Sequence, residues 1–152
     1  VDVTDPWVIA KGVWYYMDAK FPNGFEWNSY NDFKGYKVVG LAGSYYGKGF
    51  VDARKRGVFK FHNAKDSEFA IKVLAAGLHD FFLDLNLTGD YLFSKAGLDG
   101  KYASPKKPLF VNAQRICISK KSQLHDLIPE INDKLSELKA EGLIEDIFKG
   151  KP

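Results

Sequence analysis

The stretch that decides the fold is DFKGYKVVGLAGSYYGKGFVDARKR, residues 32–56. Its β-forming residues at 36–41 predict a short buried strand. The small residues at 42–47 predict a loop, and a helix is expected over 50–57, where a glycine ends it. The stretch therefore predicts a strand, a loop and a helix in succession, which is the repeating unit of an α/β domain.

The loop of this unit is a candidate binding element. A loop before a helix leaves backbone N–H groups free, and the helix dipole favours an anion there. Ser44 can add a hydroxyl group, and Tyr45 and Tyr46 can form aromatic walls. An ordinary turn is the alternative, because Gly43 and Gly47 form neither GxGxxG nor GxxxxGK[ST]. The functional interpretation is a pocket for a small anionic or zwitterionic solute.

The rest of the chain continues the alternation of strands and helices. Strands are expected at 12–17, 58–61, 78–84 and 109–119, helices at 68–76, 124–138 and 143–148, a helix or turn from 86, and irregular structure at 1–10 and 94–107. This order predicts an α/β fold with a mostly parallel sheet. Ligands bind such sheets beyond the carboxyl ends of the strands, so Ser44 and Asp84 are expected at the same edge.

Composition excludes several classes of protein. The 152 residues carry 22 Lys and Arg against 19 Asp and Glu, a net charge of +3 that is too mild to indicate nucleic-acid binding. No apolar run is long enough to cross a bilayer. The single cysteine, Cys117, permits no disulfide within the chain and is expected to be a buried, inert thiol. The three histidines lack metal-ligand spacing, and no catalytic residue, metal or cofactor is predicted.

Six segments together resemble a known family. They are Asn31–Gly40, Gly43–Tyr46, Leu74–Asp80, Ile116–Ser122, Ile131–Leu135 and Leu138–Ile147. Their order and spacing resemble the bacterial extracellular solute-binding proteins of amino-acid ABC transporters (family 3, periplasmic binding protein type II fold). The resemblance implies a three-layer α/β fold with one complete lobe and part of the other.

The resemblance also implies a division of the chain. Residues 1–29 would be a remnant of lobe 1 with the first hinge strand, and residues 30–107 would be lobe 2. Residues 108–152 would hold the second hinge strand and the C-terminal helices that return to lobe 1. Because the match covers only the C-terminal part of such proteins, and because the sequence starts on Val1 without a leader, we expect a processed or truncated chain, a homo-oligomer, or another chain that supplies the missing N-terminal lobe.

A solute-binding role follows from the resemblance. Such proteins capture a small polar solute, here expected to be amino-acid-like, in the periplasm and present it to an ABC permease in the membrane, closing their lobes on it. Family members place an aspartate after the third strand to hold the ligand's ammonium group; we favour Asp84, although the strict match falls on Leu85. The residues implied to bind the solute are Gly43, Ser44, Tyr45, Tyr46, Ser67 and Asp84.

Two other functions remain open from the sequence. An enzyme on the same fold, such as a periplasmic dehydratase or hydrolase, would use Asp80, Asp84, His62 and His79 for acid and base chemistry. A truncated chain would alternatively serve as an assembly or interaction module without solute binding, through an open sheet edge or an exposed apolar face.

Overall fold

A computed structural model describes residues 1–148. The strands are β1 (Asp2–Val3), β2 (Val8–Met17), β3 (Lys37–Leu41), β4 (Lys60–Ala64), β5 (Phe81–Leu85), β6 (Tyr102–Ala103), β7 (Phe110–Gln114) and β8 (Cys117–Ile118). The α-helices are α1 (Lys48–Lys55), α2 (Ser67–Ala75), α3 (Asn86–Lys95), α4 (Ile128–Ala140) and α5 (Leu143–Phe148), and 3₁₀ helices cover Tyr30–Phe33 and His125–Leu127.

The chain divides into two compact units. The central unit is the continuous segment Lys11–Val111. The terminal unit combines Val1–Ala10 with the described residues from Asn112 onward. Since the divisions fall inside β2 and β7, these two strands carry the chain from one unit into the other.

The central unit is built on a mixed sheet in the strand order β4-β3-β5-β2-β6, with β7 also paired to β2. Strand β3 runs parallel to β4 and β5, whereas β2 runs antiparallel to β5 and β6. The expected mostly parallel sheet is therefore wrong for β2, and β6 lies in a segment that was expected to be irregular. Helical crossovers, which parallel neighbours require, link β3, β4 and β5 through α1 and α2, but β2 precedes them and runs the opposite way.

Helices cover both faces of this sheet, so the central unit has three layers. Successive residues of a strand point to opposite faces, and the buried pair Phe81 and Phe82 sends one ring into each apolar layer. The layer beneath α1 contains Phe50, and the layer beneath α2 and α3 contains Leu74 and Phe93. The predicted burial of the Phe-Phe-Leu run is confirmed, because β5 is covered on both sides.

The terminal unit is held together by contacts between the two ends of the chain. Strand β1 pairs antiparallel with β8. The buried Thr4 accepts a hydrogen bond from the backbone N–H of Ile116 at its hydroxyl, and its carbonyl accepts one from Arg115. The ring of Trp7 stacks on that of Phe148 at 5.8 Å. Helix α4 begins at Ile128 and has a proline in its first turn, where the missing N–H of proline has no helical partner to lose.

Several predicted strand boundaries are wrong. The strand expected at 109–119 is two strands, because the backbone around Ile116 leaves β2 and pairs with the chain start instead. The segment 1–10, expected to be irregular, contains β1 and the start of β2. The strand expected at 78–84 begins only at Phe81, and the one expected at 58–61 covers Lys60–Ala64. Pairing with distant segments fixes these limits.

The prediction of a buried Cys117 is also wrong. In the two-stranded sheet of the terminal unit, Ile118 is buried and Cys117 is exposed. Neighbouring residues of a strand point to opposite faces, so burial of one residue in a thin sheet leaves the next in solvent.

Substitution of Gly89 by alanine is expected to destabilise the protein by about 1–2 kcal/mol. Gly89 is buried in α3, and a Cβ atom there would overlap the ring of Tyr15. That ring cannot withdraw easily, since it is buried and its hydroxyl lies 2.8 Å from Asp90 Oδ1. Urea unfolding measures the effect. Thr88→Ala, an exposed change on the same helix, is the control, and equal stability of the two variants would contradict the predicted overlap.

Candidate functional site

Three parallel strands bring their carboxyl ends to one edge of the central sheet. Leu41 at the end of β3 pairs in register with Ala64 at the end of β4, and the N–H of Ala42 donates to the Ala64 carbonyl at 3.1 Å. Strand β5, parallel to β3, ends at Leu85. The segments that leave these strands therefore start from a common edge, where α/β sheets bind ligands.

The loop after β3 has the conformation that its glycines permit. Gly43 and Gly47 have φ angles of 77° and 89°, in the region that favours glycine. Helix α1 begins directly after Gly47, with no side chain capping its first turn. The first N–H groups of α1 therefore lack a side-chain acceptor, as expected of an anion-accepting helix start. Ser44 and Tyr45 beside them are exposed, with 72% of Tyr45 open to solvent.

Tyr46 differs from its neighbour, because it is buried and supports the loop. Its hydroxyl oxygen accepts a hydrogen bond from the backbone N–H of Leu41 at 2.7 Å. Its ring packs against Phe50 with 5.1 Å between ring centres. Burial raises the pKa of Tyr46, while the bonds to Leu41 and Ser44 oppose that rise. Tyr46 therefore fixes the loop to β3, whereas the ring of Tyr45 is exposed to solvent.

Asp84, near the end of β5, and Ser67, at the start of α2, form a polar pair. The hydroxyl of Ser67 donates to Asp84 Oδ2 at 2.6 Å, and the N–H of Leu85 donates to Oδ1 at 2.8 Å. Ser67 is held there by the start of α2, where the side chain of the N-cap residue Asp66 accepts a hydrogen bond from Phe69 N at 2.7 Å. The sequence alone could not reveal the Ser67–Asp84 bond, because it joins different elements.

Asp84 is a half-buried carboxylate near the end of β5. Among residues 1–148, no Lys, Arg or His forms an ion pair with it. Burial raises the pKa of Asp84, and the bonds from Ser67 and Leu85 only partly oppose this. The negative charge of Asp84 also contributes to the raised pKa of Tyr46.

A cleft of about 580 Å³ opens beside the loop, between α1 and β4. Four predicted residues, Gly43–Tyr46, line it. Ser67 and Asp84 do not line it and remain a separate pair near the same sheet edge. Arg54 and Phe61, which were not predicted from the sequence, also line the cleft; the guanidinium carbon of Arg54 lies 4.5 Å from the Phe61 ring centre. Phe50 and Arg54 are four residues apart, so they lie on the same face of α1, and this spacing could have indicated Arg54 from the sequence.

The four residues considered for acid and base catalysis do not form one group. Asp80 precedes β5 and Asp84 lies near its end, so their Cα atoms are about 13 Å apart along an extended strand. Asp80 accepts a hydrogen bond from Lys37 N at 2.7 Å and pairs with Lys20. His62 and His79 bond to each other. These contacts assign Asp80 a structural role.

Within residues 1–148, no group of three or more His, Cys, Asp or Glu side chains is arranged to hold a metal ion. No helix in the same range is long and apolar enough to cross a membrane.

Comparison with solved structures identifies the fold. No model of a protein family matches the sequence, and no curated protein matches it. The matching structures are ligand-binding cores and substrate-binding domains, and with them the chain shares the periplasmic binding protein type II fold. The resemblance noted in the sequence is confirmed at the level of fold.

Three of these structures illustrate the match. The GluR0 ligand-binding core in complex with L-glutamate has a TM-score of 0.71 at 14% identity, over 97% of this chain and 62% of that one. A mutant of ArgBP from T. maritima has a TM-score of 0.68 at 22% identity, over 97% of this chain and 59% of that one. The second substrate-binding domain of a putative amino acid ABC transporter from Streptococcus pneumoniae has a TM-score of 0.66 at 21% identity, over 97% of this chain and 63% of that one. The chain thus spans about 60% of the length of the matched structures.

Proposed function

We propose that the protein captures a small zwitterionic solute of the amino-acid class. The observation that carries the proposal is the half-buried Asp84, which has hydrogen-bond donors but no cation within the described chain. A ligand ammonium group would supply that cation. Charge-assisted hydrogen bonds of this kind are about twice as strong as neutral ones.

The opposite end of such a solute requires a donor-rich site. The exposed Ser44 hydroxyl and the N–H groups at the start of α1 offer donors to a carboxylate, and Tyr45 offers an exposed ring beside them. An anion near Ser44 and a cation at Asp84 would match the two charges of an amino acid. Solved structures of the same fold with L-glutamate or arginine bound support this solute class.

The solute would then pass to a membrane permease of the ABC type, in the periplasm or outside the cell. A transporter substrate-binding domain among the matched structures supports this context. An enzyme on this fold has less support, because Asp84 lies about 13 Å from Asp80 along β5, and Asp80 is already bonded to Lys37 and Lys20.

A thermal-shift screen of the 152-residue protein against the common amino acids tests the proposal. A ligand at about 100 times its dissociation constant should stabilise the protein by about 2.7 kcal/mol. One chemical class of amino acid is expected to raise the melting temperature, because both charged ends are recognised.

Matched analogues act as the controls in this screen. The amine that lacks the carboxylate and the acid that lacks the ammonium group should each give a smaller shift than the parent amino acid. Equal shifts from all three would argue against recognition of a zwitterion. If no amino acid shifts the melting temperature at millimolar concentration, the solute-binding proposal fails for this chain.

A further inference from the structure

Two histidines lie side by side on the central unit, away from the Ser67–Asp84 pair. His62 lies on β4, the edge strand of the sheet, and His79 lies in the turn between α2 and β5. The Nε2 atom of His79 is 3.0 Å from the Nδ1 atom of His62. The ring planes are nearly perpendicular, at 78°, with centres 4.8 Å apart. No residue of the candidate solute site takes part in this contact.

The distance between these nitrogens suits two ligands of one metal ion. A metal–nitrogen bond of about 2.0–2.1 Å separates two neighbouring ligands by about 3.3–3.4 Å in a tetrahedron and by about 2.8–3.0 Å in a square plane. The observed 3.0 Å lies between these values. Because His62 is exposed, rotation of its ring can direct both lone pairs to one point without moving the backbone.

The protonation of the pair is compatible with metal binding. The Nδ1 atom of His79 is buried and makes no hydrogen bond within the described chain. His79 Nδ1 is unpaired whether His62 or His79 donates the proton in the contact between them. A metal ion on His79 Nε2 would therefore add no further unpaired buried atom. When His62 donates, the His79 Nε2 lone pair already faces its neighbour, and an ion there would replace the shared proton.

The carboxylate next to His79 in the sequence is not free to join the site. Asp80 is already bonded to Lys20 and Lys37, so water would complete the coordination shell.

We propose that His62 and His79 form a two-histidine binding site for a first-row divalent transition ion, completed by water. Imidazole nitrogen suits Cu²⁺, Ni²⁺ and Zn²⁺, and Cu²⁺ is expected to bind most tightly. The ion would tie the edge strand β4 to the turn that follows α2. The site is independent of the proposed solute-binding function.

Titration of the tag-free protein with Cu²⁺, followed by calorimetry and electron paramagnetic resonance, tests this site. One ion per chain is expected, with hyperfine coupling to two imidazole nitrogens. His62→Ala and His79→Ala should each weaken Cu²⁺ binding by at least about tenfold. Loss of a residue that hydrogen-bonds to a metal ligand already lowers metal affinity by about 10–100-fold, and loss of the ligand itself should cost at least as much. Each variant should retain a single imidazole coupling at high Cu²⁺.

His125→Ala is the matched control, because His125 is the third histidine and bonds to Asp2 in the terminal unit. It should leave the two-nitrogen signal unchanged. Circular dichroism verifies that each variant is folded, and His79→Gln replaces His79→Ala if the latter unfolds. Absence of Cu²⁺ binding, or binding that His62→Ala leaves unchanged, overturns the proposal. So does a signal that disappears only in His125→Ala.

Discussion

Replacing Trp14 by alanine is expected to lower the free energy of unfolding by about 3–5 kcal/mol. Trp14 is fully buried at the centre of the layer beneath α1. Its ring stacks on Phe33 at 3.9 Å and meets Phe59 and Phe81 edge-on at 6.1 Å. Alanine would leave a cavity that rigid neighbouring rings cannot fill. Urea unfolding followed by far-ultraviolet circular dichroism measures the loss.

Trp14→Phe is the control for this experiment. The indole Nε1 of Trp14 is buried and makes no hydrogen bond within the described chain. An unpaired buried donor costs about 1–3 kcal/mol, and phenylalanine removes it while keeping most of the ring. We therefore expect Trp14→Phe to cost less than half of what Trp14→Ala costs. Equal losses would contradict the assignment of the effect to packing.

Replacing Asp84 by asparagine is expected to weaken amino-acid binding by about 10–100-fold, since a hydrogen bond to a charged group contributes about 1.5–3 kcal/mol. Asparagine keeps the shape of the side chain but removes the charge that would hold the ligand's ammonium group. Adding Ser44→Ala, which removes a donor at the other end of the solute, should abolish measurable binding. Calorimetric titration with the amino acid found in the thermal-shift screen gives both affinities.

The stability of Asp84→Asn separates this effect from unfolding. The pKa of Asp84 is raised from 3.8 in the folded protein. Its contribution to stability is therefore fully present below pH 3.8 and is lost as the pH rises through the raised folded pKa. At pH 7 the asparagine variant should be at least as stable as the original protein.

Asp52→Asn, an exposed change on α1, is the binding control. Unchanged affinity in Asp84→Asn would remove Asp84 from the site.

Local patterns predicted those parts of the fold that depend on nearby residues. The loop after β3 follows from its glycines, and the start of α2 follows from Asp66 as its cap. The break near Ile116 was not predictable, since a partner more than one hundred residues away causes it. The exposure of Cys117 was not predictable either, because an apolar run indicates a strand but does not indicate which face of that strand is covered.

The candidate site divides in the same way. The sequence indicated Ser44 and Tyr45 because they stand in a loop between a strand and a helix. It did not distinguish Tyr46, whose hydroxyl turns back to Leu41. Nor did it indicate Arg54, which joins the cleft only because α1 packs beside β4. Residue types and spacing located the sheet edge, whereas side-chain direction required the tertiary structure.

The discontinuous terminal unit has a consequence for the order of folding. The central unit is contiguous, so its strands can pair as soon as the ribosome has released it. The terminal unit cannot form until residues as distant as Thr4 and Ile116, 112 positions apart, have met. Contacts of such long range close slowly. During synthesis residues 1–10 must therefore wait for their partners while the central unit folds, and the closing of β1 on β8 would be a late step.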